Sequence, residues 1–121
     1  MPNTPGVGIV RKVAAAQSTV PVDLPYVATL APDCDDGLYR KCTVTGALHL
    51  DPPVNATEGM RWEGWFLASG GDQALTFDTA IVVPTDSGFV SPKTLTSGKL
   101  YIVLLKYNGT AWMLVSLVGG Y

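Results

Sequence analysis

The side chains able to do chemistry are few. His49 is the only histidine, and Cys34 and Cys42 are the only cysteines. A Cys–His pair is the minimum for thiol catalysis, which needs a base within hydrogen-bond reach and a third group to orient it. His49 sits between Leu48 and Leu50 in an apparent strand, and no motif brings it to either cysteine. It is therefore read as a structural or interface residue. Two cysteines and one histidine do not supply four zinc ligands without carboxylates. Asp33, Asp35 and Asp36 precede Gly37, but these acids span four positions. A calcium loop spreads its oxygens over about twelve residues and closes with a glutamate, so a solvated turn is the reading here. Glu58 and Glu63 are carboxylates of the kind glycosidases use, yet the separation that matters is three-dimensional. Gly6-Val7-Gly8 lacks a preceding strand and a third glycine, and so does not make a dinucleotide loop.

Trp62, Trp65 and Trp112 suggest a sugar-stacking platform. Trp62 and Trp65 have opposite parity on one strand and do not share a face, so core or interface roles are expected for all three. Asn55-Ala56-Thr57 and Asn108-Gly109-Thr110 match the glycosylation pattern, which carries weight only in a secreted chain. Met1-Pro2-Asn3-Thr4-Pro5-Gly6 is not the basic-then-apolar opening of a secretory signal. The chain is thus expected to be made in cytoplasm, with both cysteines free. The basic pairs Arg11-Lys12 and Arg40-Lys41 read as rim contacts to an acidic partner or as solvated positions.

The elements that must position these residues are strands. The chain has 121 residues, one domain by length, with 13 glycines and 9 prolines punctuating it. Charged residues make 15% and hydrophobic residues 47%, where about 25% charged is usual. Such a chain has little charge to hold an ordinary monomer apart from its neighbours. A net charge of −2 lacks the basic surplus of a nucleic-acid or anionic-membrane binder. Its apolar runs, residues 101–105 and 111–115, fall short of the roughly 18 residues a membrane helix needs.

Residues 1–8 read as an arm, and residues 9–17 as an edge strand or helical turn. Pro21, Pro25 and Pro32 make residues 20–30 an edge strand or extended segment. Residues 38–50 form a strand region with a bulge or bend at Gly46. From Met60 to Ala68 the pattern places Met60, Trp62, Gly64 and Phe66 on one face and Arg61, Glu63, Trp65 and Leu67 on the other. A tight turn at Ser69-Gly70-Gly71-Asp72 leads to a strand over residues 74–83, closed by Pro84, and a polar loop over 85–98 follows. Asn108-Gly109 between two apolar runs predicts a two-residue type I′ hairpin. That register sets Tyr107 against Thr110, Leu105 against Trp112 and Val103 against Leu114. On the other face it sets Leu104 against Met113, Ile102 against Val115 and Leu100 against Leu117. Both faces of this hairpin are apolar, whereas a sandwich has one interior. One face packs inside, and the other needs a cover, either the N-terminal segment or a neighbouring subunit. The whole reads as an all-β antiparallel sandwich or small jelly roll over residues 23–121, with an extended arm over residues 1–22.

Pro53, Asn55 and Gly59, then Trp65 to Gly71, then Ala74-Leu75-Thr76-Phe77-Asp78, and finally Trp112 running to Gly119-Gly120-Tyr121 form a series. Residues 48–121 carrying it resemble the small β-sandwich domains of tailed-bacteriophage virion proteins, both head-decoration (cement) proteins and the C-terminal heads of fibres. Some fifty residues precede this part and contain no fibrous repeat, which favours decoration. The resemblance implies a non-enzymatic protein on the capsid exterior. Its partners would be the major capsid protein and itself, as a homotrimer rather than a homodimer. No nucleic acid, membrane, metal or cofactor is implied. The expected oligomer or core contacts are Leu100, Tyr101, Ile102 and Leu104, with Trp112, Met113, Val115 and Leu117 opposite. Val7, Ile9, Val10, Arg11, Lys12 and Val13 are the expected capsid contacts of the arm. The alternatives are a glycan-binding fibre tip and, behind it, a small hydrolase using carboxylates or Cys34 and Cys42 with His49.

Overall fold

Alternation of apolar and polar residues makes strands, and the chain lays them in two layers by crossing repeatedly between them. The computed structural model describes residues 20–86 and 88–121. Its strands are β1 (Val22–Asp23), β2 (Thr29–Leu30), β3 (Tyr39–Val44), β4 (Leu48–Leu50), β5 (Arg61–Ala68), β6 (Gln73–Phe77), β7 (Lys93–Leu95), β8 (Leu100–Tyr107) and β9 (Trp112–Gly119). One sheet has the order β1-β3-β5-β8-β9, and the other β2-β4-β6-β7. The protein is an all-β sandwich. Among the described residues no helix is long and apolar enough to cross a membrane.

The pairing is mixed rather than wholly antiparallel. From β1 to β6 successive strands alternate between the sheets. Each return to a sheet therefore enters from the same end, and β1–β3, β3–β5, β2–β4 and β4–β6 all pair parallel. Only β5–β8, β6–β7 and β8–β9 are antiparallel. The bend expected at Gly46 is a complete crossing, since β3 lies in one sheet and β4 in the other. A Cβ on Gly46 would stand 2.6 Å from the Tyr26 hydroxyl, which donates to the Ala47 carbonyl at 2.6 Å. The proline-bounded β1 and β2 are edge strands, as Pro21, Pro25 and Pro32 require.

The core forms where the inward positions of the two sheets meet. Trp62, Phe66, Val103, Leu105 and Trp112 come from the five-stranded sheet, and Leu48, Leu50, Leu75 and Leu95 from the four-stranded one, all of them buried. The strand expected over residues 74–83 ends early. Asp78 turns the chain by accepting from the Ala80 N–H at 2.9 Å, and Ile81 N–H closes the turn on the Asp78 carbonyl. The loop expected over residues 85–98 contains β7.

The hairpin departs from its expected register. Tyr107 faces Trp112 and Leu105 faces Leu114, two residues away from the type I′ pairing. Asn108 is the reason: its side-chain oxygen accepts from both Thr110 N–H and Ala111 N–H at 2.8 Å, spreading the turn over four residues. A shift of two preserves which face each side chain takes. A bulge between Leu114 and Ser116 then adds one more residue, Val115, and reverses the parity of everything after it. Leu117 therefore pairs with Val103 on the inner face, not with Leu100 on the outer one.

Candidate functional site

The outer face of the five-stranded sheet is built by three ladders. In register, Lys41, Trp65, Ile102 and Val118 form one row across β3, β5, β8 and β9. Thr43, Leu67 and Leu100 form the next, and Tyr39, Glu63, Leu104 and Ser116 a third. Cross-strand neighbours share a face, so an apolar patch of Trp65, Leu67, Leu100, Ile102, Leu104 and Val118 lies opposite the core. Leu67 is 40% exposed, Val118 47% and Val115, on the bulge, 54%. Trp65 is held upright: its indole N–H donates to Glu63 Oε2 at 2.7 Å, and Tyr39 packs edge-on against it at 5.5 Å. A hollow of about 270 Å³ opens between Lys41, Trp65, Leu67 and Leu100.

The residues expected to form oligomer or core contacts divide cleanly. Tyr101 and Trp112 are core. Leu117 packs against the core. Leu100, Ile102 and Leu104 line the outer face, and Met113 pairs with Lys106 on that face. Trp65 and Leu67 were missed as members of this surface, although their parity on β5 already set them opposite Trp62 and Phe66. The expected capsid-contact residues Val7, Ile9, Val10, Arg11, Lys12 and Val13 lie outside the described residues.

A second surface borders β9, the last strand of its sheet. Val82 pairs with the start of β9, donating to Trp112 O and accepting from Leu114 N–H. Past that bridge lies a groove of about 540 Å³, with Pro84, Phe89, Val90 and Pro92 along one side and residues 114–118 along the other.

Several chemical candidates resolve into structure. Asp33 caps a 3-10 turn at Cys34–Asp36 by accepting from Asp35 N–H at 2.9 Å, and it also accepts from Asn55 Nδ2 at 2.8 Å. The Asn55 bond, with the Asp35 amide, holds the Asp33 carboxyl below its ordinary value. Arg40, read as a rim or solvated residue, is buried instead. It clamps β1 by donating to the carbonyls of Val22 at 3.3 Å and Asp23 at 2.8 Å. Trp62 and Trp112 are in the core, which leaves Trp65 alone of the three tryptophans at the surface.

Cys34 and Cys42 are free and buried. Burial, reinforced by Asp33 beside Cys34 and Asp23 beside Cys42, pushes each thiol up to about 11. The thiolate is the nucleophile, so the folded protein at pH 8 should leave both thiols unlabelled by Ellman's reagent. Denaturant should release both at once, whereas fast labelling of the native chain would contradict their burial.

His49 points outward from β4 between the buried Leu48 and Leu50. Its Nε2 lies 3.4 Å from Asp51 Oδ1 and 3.4 Å from Asp78 Oδ1. The Ala80 amide, then His49, holds the Asp78 carboxyl below its ordinary value. The histidine thus gathers two carboxylates rather than a thiol.

Fold and surfaces together define an all-β sandwich with one apolar outer face. No family model, no curated protein and no solved structure matches the chain.

Proposed function

We propose that this chain is a non-enzymatic, self-associating structural protein, and that its assembly is the coating of a tailed-phage capsid. The observation that carries the reading is the outer face of the five-stranded sheet, where Trp65, Leu67, Leu100, Ile102, Leu104 and Val118 stand together opposite the core. A contiguous apolar patch on a sheet face marks an interaction surface. A chain that is only 15% charged sets few like charges against burying that patch on a second copy. Homo-oligomers close by symmetry, and the trimer is the expected state. Capsid decoration enters from the resemblance of residues 48–121. Many modest contacts on a repeating shell then bind by avidity. Beyond the Val82 bridge, the edge of β9 beside its groove has no strand paired to it among the described residues, and it is a surface to which an extended segment of a shell protein would add. The fibre-tip reading needs a platform of exposed aromatics, and two of the three tryptophans are in the core.

Sedimentation velocity on the full chain tests the association, and Ile102→Asp with Leu104→Asp tests the face. Wild type should sediment as a trimer and the double variant as a folded monomer with unchanged circular dichroism. A monomeric wild type, or a double variant that remains a trimer, overturns the role of this face. Quantitative mass spectrometry of purified particles tests the assembly. Copies on the scale of the major capsid protein are expected, and absence from particles overturns the decoration reading.

A further inference from the structure

The second sheet carries a cluster on its outer face that the decoration reading does not use. On β4 the alternation that buries Leu48 and Leu50 turns His49 outward, and Asp51 follows at the same parity. On β6, Thr76 pairs in register with His49, and Asp78 follows Thr76 by two. The parallel ladder continues past both strands: Asp51 N–H donates to Leu30 O at 2.8 Å and Asp78 N–H to Leu50 O at 2.9 Å. Two parallel strands with a spacing of two therefore bring His49, Asp51, Thr76 and Asp78 to one spot.

The imidazole and the Asp78 carboxyl are held from behind. His49 Nδ1 lies 2.9 Å from Thr76 Oγ1, which leaves Nε2 turned to the carboxylates. Asp78 Oδ2 accepts from Ala80 N–H at 2.9 Å, which leaves Oδ1 to face His49 Nε2. Nε2, Asp51 Oδ1 and Asp78 Oδ1 all lie within 4.8 Å of one another. The two N···O separations of 3.4 Å are long for a hydrogen bond, whose usual length is about 2.9 Å. They match the edge of a tetrahedron with metal–ligand bonds of about 2.1 Å. Among the described residues no lysine or arginine pairs with Asp51 or Asp78, so there two carboxylates face one nitrogen with no described cationic side chain between them.

We propose that His49 Nε2, Asp51 Oδ1 and Asp78 Oδ1 bind one divalent transition-metal ion, with zinc the best fit, and that Thr76 is the positioning residue for the imidazole. One imidazole and two carboxylates suit zinc and its first-row neighbours. Calcium, which takes six to eight oxygens, is poorly served. Three protein ligands leave zinc one position for water or for a donor from a bound partner.

The test uses the full, tag-free, chelator-treated chain with zinc chloride as the probe. Calorimetry should show one equivalent bound, with no competition from calcium. His49→Gln and Asp51→Asn should each abolish stoichiometric uptake. Thr76→Val should weaken it about tenfold, the scale of a lost supporting partner, while Cys34→Ser with Cys42→Ser should leave it unchanged. His49 being the sole histidine, its imidazole nitrogens are the only ones in a proton–nitrogen spectrum. Zinc should move the Nε2 resonance and leave Nδ1 protonated. An unmoved imidazole, no stoichiometric uptake by the wild type, or uptake that passes to the cysteines overturns the proposal.

Discussion

Replacing Gly64 by alanine is expected to lower the stability of the fold by about 3 kcal/mol, the upper end of what overpacking a core costs. Gly64 faces inward on β5 between Trp62 and Phe66, and both rings are fully buried. A Cβ there would stand 2.4 Å from Trp62 Cη2, 2.6 Å from Cζ3 and 3.0 Å from Phe66 Cε2. The six-membered part of the indole lies over the glycine because the glycine has no side chain. Neither ring has solvent to swing into, so the strand or the packing between sheets must give. Thermal unfolding should show Tm lowered by roughly 10 °C or more, as 3 kcal/mol implies for a domain of this size. Trp62→Phe should relieve the clash, because phenylalanine lacks the two atoms that collide. Among the described residues Trp62 Nε1 has no hydrogen-bond partner, so that exchange is expected to lose packing alone. The double variant should be clearly more stable than the sum of the two single effects, a coupling of the sign contacting residues give. Additive losses would mean that Gly64 matters for its backbone and not for the space it leaves.

The other large loss is expected at Trp112. Its ring is buried beside Tyr107, centroids 5.2 Å apart, and its indole N–H donates to the carbonyl of Pro53 at 2.9 Å across 59 residues of chain. Trp112→Ala removes one of the largest side chains in the core and leaves a buried carbonyl without its donor. The first effect costs about 3–5 kcal/mol and the second about 1–3 kcal/mol. Their sum rivals the whole stability of many small domains, so the variant should be largely unfolded at room temperature. Trp112→Phe keeps most of the packing and isolates the hydrogen bond. It should lower stability more than Trp62→Phe, because the Trp112 indole bonds to Pro53 and the Trp62 indole has no partner among the described residues. Equal losses in urea titrations of the two phenylalanine variants would show that the bond to Pro53 contributes nothing.

These two tryptophans also show how far local pattern reaches. The parity of β5 separated Trp62, Gly64 and Phe66 from Glu63, Trp65 and Leu67, and the structure keeps that division. Both faces of β8 were legible as apolar, and one is core while the other is the outer patch. Prolines 21, 25 and 32 marked edge strands, because a residue without an N–H does not serve a central ladder. The Asn108 turn misled: a side chain accepting two backbone N–H groups outcompetes the two-residue turn that Asn-Gly otherwise favours. The bulge at Val115 was invisible for a related reason, since one extra residue changes pairing without changing composition.

The amino-acid sequence alone determined what depends on neighbours along the chain: strands rather than helices, their faces, their edges, and an apolar surplus larger than one interior absorbs. Only the tertiary structure decided what depends on which strand lies beside which. Parallel and antiparallel pairing use the same period of two, so the mixed sheets and the meeting of His49 and Asp51 with Thr76 and Asp78 left no local trace. Arg40 reads as a charge beside Lys41, yet the packing of β1 against β3 buries it and makes it a clamp for two carbonyls. Alternation selects a face, but only the crossings between layers select the neighbour on that face.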